Sequence, residues 1–306
     1  MAQSLSNRIV SAAIWGMGTK RNLSQMDEES WNALVEKYRE ENSHPVPNPR
    51  KTVRMKVEEE TFEGMQVFSW NSDGTRSQDV IFYIHGGAYI AQPMAFHFRS
   101  VAAIAEMSCA RVVFPVYPKA PGHTFRDAFP PMERLYEREL SRVDSSGKIT
   151  LMGDSAGGGF ALGLAHSLSL KGIPQPVDII LLSPWLDVSM DNPEIPSYEK
   201  SDAMLSAWGL RRWGEMWAGG KENIADPRVS PIHSDSLDKL GWITIFCGTH
   251  EIFCPDCRKL HSLLEADDIE HDFICKEEMG HVYPLYPTPE GRYARGMIAD
   301  MIIGII

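Results

Sequence analysis

Positive charge, cysteine and long apolar runs are all scarce in this chain, and each shortage removes a class of function. Against 41 acidic residues there are 30 Lys and Arg, a formal charge of −11. Nucleic acids and anionic membranes are held by clustered cations that neutralise phosphate, so neither is an expected partner. Neutral or weakly polar small molecules fit better. The five cysteines, at 109, 247, 254, 257 and 275, are odd in number and scattered, which argues against a secreted disulfide framework. Cys254-Pro255-Asp256-Cys257 has the spacing of a redox or zinc pair. It opens a helix late in a large chain, however, and no second ligand pair is nearby, so the cysteines are expected to be structural and no metal or cofactor is called for. No apolar stretch approaches the ~18 residues a membrane span requires, and the terminal Met301-Ile302-Ile303-Gly304-Ile305-Ile306 falls far short. The start, Met1-Ala2-Gln3-Ser4, has no basic leader, and Ala12-Ala13-Ile14-Trp15 is too short for a signal core, which predicts a cytoplasmic protein.

What is present is enough apolar residue to bury a core. At 306 residues with 43% hydrophobic and 23% charged, the chain suits one large α/β domain with insertions. From about residue 78, short β-branched runs alternate with helical patterns. Strands are predicted at 80–84, 112–114, 149–152, 179–182, 243–247 and 273–275, and helices near 97–108, 126–143, 157–170, 257–266 and 290–303. Strands this continuously apolar, separated by helices, imply a mostly parallel sheet covered on both faces. Val53, Met55 and Val57 alternate with charged residues ahead of a second extended run, Met65 to Trp70, which predicts an antiparallel hairpin at one edge. Two regions break the rhythm. Residues 1–50 carry Trp31, Leu34, Val35 and Tyr38 at helical spacing, and residues 187–228 form a long insertion rich in Trp208, Trp213, Met216 and Trp217. Together they are expected to form a helical cap over the C-terminal ends of the strands, where open α/β sheets bind ligands. The aromatics are expected to be core between cap and body.

The chemistry centres on Gly153-Asp154-Ser155-Ala156-Gly157, which sits between a predicted strand and a predicted helix. That is the setting of a nucleophile elbow, a tight turn that lifts a serine hydroxyl above the sheet. Such a serine needs a base, an acid to orient the base, and donors for the developing oxyanion. His85-Gly86-Gly87-Ala88 follows the strand 80–84, and the N–H groups of Gly86, Gly87 and Ala156 are the expected oxyanion donors. His281 lies in a loop after the last strand and is the expected base; His97, His123, His166, His233, His261 and His271 lack that context and are read as surface or packing residues, and His44, in the proline-bearing N-terminal region far from any strand end, is a poor candidate. Glu251, after the strand 243–247, is preferred as the acid over Asp256, which Pro255 places in the first turn of a helix.

These residues resemble the hormone-sensitive-lipase-like family of α/β-hydrolases, in its bacterial esterase branch. The two motifs occur in the family's order, with His85 and Ser155 70 residues apart. Tyr117-Pro118-Lys119-Ala120-Pro121 with Phe125, Ser183-Pro184-Trp185-Leu186-Asp187 and Asp226-Pro227-Arg228-Val229-Ser230-Pro231 add to the likeness, which covers roughly residues 75–300. The resemblance implies a single α/β-hydrolase domain, Ser155 as nucleophile, His281 as base, and a loop acid that is usually Asp in the family and is Glu251 here. It also makes a homodimer an expectation. The expected activity is a serine carboxylesterase acting on small, short-chain acyl esters. The alternatives are an amide hydrolase, such as a deacetylase or formamidase, and a non-catalytic small-molecule receptor.

Overall fold

In the computed structural model the described residues are 3–17, 19–24 and 26–305; Met1, Ala2 and Ile306, which entered the reading of the chain's ends, lie outside them. Four helices come first: α1 (Leu5–Met17), α2 (Thr19–Ser24), α3 (Glu28–Ser43) and α4 (Arg50–Val53). An antiparallel hairpin follows, β1 (Val57–Phe62) and β2 (Met65–Trp70). Strands and helices then alternate as β3 (Val80–Ile84), α5 (Ala95–Ser108), β4 (Arg111–Val116), α6 (Phe125–Arg142), β5 (Ile149–Asp154), α7 (Ala156–Leu170) and β6 (Asp178–Leu182). An insertion holds α8 (Ile195–Glu199) and α9 (Ala207–Ala218). After it come β7 (Trp242–His250), α10 (Cys254–Ala266), β8 (His271–Gly280) and α11 (Pro289–Ile302).

All eight strands form one sheet in the order β1-β2-β4-β3-β5-β6-β7-β8. β3 to β8 are mutually parallel, and of the hairpin β2 alone runs against them, β1 running in their direction. The reason lies in the side-chain period of two. Phe82, Val113, Leu151, Leu181 and Ile245 enter the core on the face covered by α6 and α7. Ile81, Val112, Met152, Ile180 and Phe246 enter the other, beneath α5 and α11. A strand buried on both faces has no polar side to show, hence the unbroken apolar runs.

The sheet differs from expectation at two places. Val53 belongs to α4, not to the hairpin, because Arg54 takes a left-handed conformation (φ 60) that ends the helix before the strand begins at Val57. β7 and β8 run beyond their last apolar residues, since Gly248 pairs with Lys276 and His250 with Gly280 across an irregularity. Hydrophobicity cannot register that extension. It carries both strands to the edge at which β3 and β5 also end.

The two regions without strands pack on each other. Trp31 of α3 lies 4.1 Å from Trp213 and 5.2 Å from Trp208 of α9, ring centre to ring centre, and Tyr38 stands edge-on to Trp213 at 5.6 Å. The Arg212 guanidinium stacks over Trp31 and pairs with Glu28. Glu28 is mostly exposed, so its pair with Arg212 is screened by solvent and contributes little. Burial of the Trp31 side chain, worth several kcal/mol, dominates the contact. Lys20 of α2 donates to the carbonyl oxygens of Glu199 and Asp202, extending the joint to α8 and the loop behind it.

Candidate active site

Ser155 occupies the turn between β5 and α7 with φ 53 and ψ −122, a conformation that a side-chain-bearing residue adopts only at a cost of order 1–3 kcal/mol. Its surroundings enforce it. Ser155 N–H donates to Leu182 O at 2.8 Å, and its own carbonyl accepts from Trp185 N–H at 2.9 Å, stitching the turn to the end of β6. The flanking glycines are required by crowding: a Cβ on Gly157 would lie 2.0 Å from Ile84 O, and one on Gly153 2.2 Å from Gly157 O.

The two residues preferred downstream of the turn, Glu251 and His281, converge with it. His281 Nε2 lies 2.9 Å from Ser155 Oγ, and its Nδ1 lies 2.6 Å from Glu251 Oε2. A carboxylate only accepts, so the ring proton sits on Nδ1 and leaves Nε2 to accept from the hydroxyl. All three side chains are buried. Burial works against protonation of His281, but the Glu251 carboxylate, with Asp202 and Asp154 farther off, outweighs it and holds the imidazole above the ordinary histidine range. Phe253 packs edge-on against the ring at 5.1 Å, centre to centre.

Glu251 is held at both oxygens. Its Oε1 accepts from Ser183 Oγ–H at 2.8 Å and from Gly248 N–H at 2.7 Å, leaving Oε2 for the histidine. Ser183 also accepts from Val282 N–H at 2.9 Å, so one hydroxyl ties the loop after β7 to the loop after β8. Asp256 lies elsewhere, in α10, where Oδ1 accepts from Asn192 Nδ2 and burial pushes the carboxyl up to about 6.

The glycine-rich loop departs from expectation at one residue. The N–H of Gly86, expected to face an oxyanion, donates instead to Asp154 Oδ1 at 2.8 Å. A proton already spent on a buried carboxylate is not available to a substrate. The same oxygen accepts from Tyr83 Oη–H at 2.6 Å, while Oδ2 faces His97 Nε2 at 3.3 Å. Burial pushes the Asp154 carboxyl up, but His97, Tyr83 and Gly86 together hold it below the usual range. His97, read from the sequence as surface or packing, is thus a buried partner of the residue preceding the serine. Gly87 takes φ +114 and Ala88 φ 54, and among the described residues neither their N–H groups nor that of Ala156 donates within the chain.

Asp202 was not marked by any sequence signal. It is buried in the loop after α8, where Oδ1 accepts from the N–H groups of Met204 and Leu205, and Oδ2 accepts from Ile252 N–H at 2.9 Å. The insertion thereby grips the residue next to Glu251. A cavity of about 250 Å³ lies against His281, lined by Ser11, Ile14 and Trp15 of α1, by Asp202 and Met204 of the insertion, and by Tyr286.

Residues 81–285 match the protein family described as having the α/β hydrolase fold. An esterase of Acinetobacter venetianus is 30% identical over 225 residues, which cover 72% of this chain and 73% of that protein. An acetyl-hydrolase of Streptomyces hygroscopicus is 28% identical, covering 74% of this chain and 75% of its own length. Among solved structures, an esterase from the bacterial hormone-sensitive lipase family superposes with a TM-score of 0.80 at 25% identity over 99% of both chains.

Proposed function

Because the chain belongs to the α/β-hydrolase family, among the hormone-sensitive-lipase-like bacterial esterases, and is a carboxylic ester hydrolase, we propose that Ser155, His281 and Glu251 hydrolyse small acyl esters through an acyl-enzyme. The observation that carries the reading is the unbroken line of hydrogen bonds from Glu251 Oε2 through the imidazole to Ser155 Oγ. Ser155 Oγ attacks the ester carbonyl as His281 Nε2 takes its proton. The imidazolium formed is stabilised by Glu251 and returns the proton to the leaving alcohol. Water, activated by the same histidine, then releases the acid.

The oxyanion of each tetrahedral intermediate is received by the N–H groups of Gly87 and Ala156, with Ala88 taking the place expected of Gly86. Each such donor is worth about 10²–10³ in turnover. The Asp154 contact gives Gly86 a different part: it fixes the loop so that the next two amides keep their direction.

Residues 1–50 and the insertion 187–228 act as a cap on the single catalytic domain. Both contribute to the cavity of about 250 Å³ beside His281, whose lining does not include Ser155; the preference for small substrates rests on the proposed cap. No helix among the described residues is long and apolar enough to cross a membrane. Substitution Ser155→Ala tests the reading. It is expected to cut the hydrolysis of 4-nitrophenyl acetate by at least about 10⁴-fold with unchanged circular dichroism. Paired assays on matched acetyl esters and acetamides should show the ester strongly preferred. Wild-type-like turnover by the alanine variant, or preference for the amide, would contradict it.

A further inference from the structure

The catalytic line leaves unused a group of thiols directly behind it. The Sγ atoms of Cys247 in β7, Cys254 at the start of α10 and Cys275 in β8 all lie within 4.8 Å of one another, and Cys254 and Cys275 are 3.9 Å apart. The expectation that no further ligands stand near the Cys254–Cys257 pair considered chain neighbours only; the β7–β8 pairing sets Cys247 directly opposite Cys275 and brings both to Cys254. Cys247 and Cys254 are buried, while Cys275 is partly exposed and offers a route in. Arg258 lies beside Cys254 and Cys275, a cation placed to offset thiolate charge.

Buried free cysteines often serve only as small apolar residues. Three sulfurs gathered about one point beside a guanidinium fit a different use, and distance decides which. A disulfide needs its sulfurs about 2.05 Å apart, so Cys254 and Cys275 would have to close by nearly 2 Å in a packed core. A three-coordinate ion with metal–sulfur bonds of about 2.3 Å holds its sulfurs about 4.0 Å apart, close to the spacing already present. Zinc in protein sites almost always takes four ligands, whereas soft monovalent copper is satisfied by thiolates alone and by fewer of them.

We propose that Cys247, Cys254 and Cys275 form a binding site for a thiophilic d¹⁰ metal ion, Cu⁺ in preference to Zn²⁺, whose occupation slows ester hydrolysis. On binding, the thiols that ligate release their protons to solvent, metal–sulfur bonds form, and no atom changes oxidation state. Cys247 immediately precedes Gly248, whose N–H holds Glu251 Oε1, and Cys254 follows Glu251 by three residues. Drawing the more distant sulfurs in by several tenths of an ångström therefore pulls both ends of the loop that presents Glu251. The slowing rests on the reading of Glu251 as the orienting acid; the binding does not.

The test is an anaerobic titration of the fully reduced chain with Cu⁺ held by a chromophoric chelator, with a parallel arm using Zn²⁺. The expected result is one Cu⁺ taken up per chain, weaker Zn²⁺ binding, and kcat for 4-nitrophenyl acetate falling about tenfold at full occupancy, as misplacement of a catalytic group by a fraction of an ångström implies. Cys275→Ser, which leaves only two sulfurs, should take up Cu⁺ at least about tenfold more weakly and lose the metal's effect relative to its own metal-free rate. Cys109→Ser, at an exposed cysteine outside the group, should behave as wild type in both. No uptake from the chelator, wild-type uptake by Cys275→Ser, tighter binding of Zn²⁺ than Cu⁺, or loss of two hydrogens by mass in place of a metal adduct would overturn the site. Uptake is read from chelator absorbance, so it is decided independently of the esterase mechanism, and full occupancy with unchanged kcat would overturn the coupling.

Discussion

Glu251 stands where the family resemblance implies the shorter aspartate, and the structure shows how the extra methylene is accommodated. Both carboxylate oxygens are occupied, Oε1 by Ser183 and Gly248 and Oε2 by His281, so the longer side chain is fixed in one pose. Glu251→Gln cannot satisfy this set. If its amide nitrogen faces His281, the ring is forced into the wrong tautomer; if it faces Gly248 N–H, two donors confront each other. Loss of kcat of about 10⁴-fold is expected in steady-state assays, the scale seen when an orienting carboxylate becomes an amide. Asp202 adds a second, electrostatic control. As the proposed base His281 must be neutral to act, and its pKa is raised, so kcat/KM should climb with pH with a midpoint above the ordinary histidine value of ~6.5. The same shift has the opposite sign for folding: its stabilisation is full below the unfolded pKa and is lost as pH rises through the folded one. Asp202→Asn removes a charge that favours the imidazolium and should move the rising limb of the pH profile to lower pH. A slower enzyme with an unmoved limb would show that Asp202 acts through the loop alone.

Residues at strand ends were legible in the sequence because the strand pattern itself marks the edge of the sheet. That logic picked out Ser155, His281 and Glu251, whose side chains lie within hydrogen-bonding distance in turn, while Asp256 bonds Asn192 instead; their catalytic roles are the proposal. It misassigned Gly86, since the partner of that N–H is a side chain 68 positions away. It passed over Asp202 and His97 because neither follows a strand; each acquires its place through burial against residues remote in the chain.

Among the elements, the parallel strands were the most readable, being apolar on both faces. Their outer ends were not, because Gly248–His250 and Lys276–Gly280 pair as polar backbone ladders with no hydrophobic signature. The N-terminal helices and the insertion were recognisable as interruptions, and their aromatic residues as packing material. Their joint depends on Trp31, which is almost fully buried between Trp208 and Trp213. Trp31→Ala should cost about 3–5 kcal/mol in denaturant unfolding if the helices unfold with the body. Should the cap detach first, the loss appears instead as two separate transitions, with turnover lost in the earlier one. A change below about 1 kcal/mol in a single transition would mean that Trp31 does not hold the two regions together.

The whole molecule unites a net negative charge, a sheet that aligns four loops at one edge, and the proposed cap of residues 1–50 and 187–228. On that footing a series of 4-nitrophenyl esters should show kcat/KM highest for short acyl chains and falling steadily with length. Best activity beyond about ten carbons would contradict the proposed cap and a compact substrate pocket. The most direct test of the central claim is covalent. Incubation with one equivalent of a fluorophosphonate, followed by intact-mass and peptide-mass measurement, should give a single adduct on Ser155, with esterase activity lost in proportion to labelling. Full labelling of Ser155 with activity retained, or activity lost through an adduct on another residue, would contradict the account.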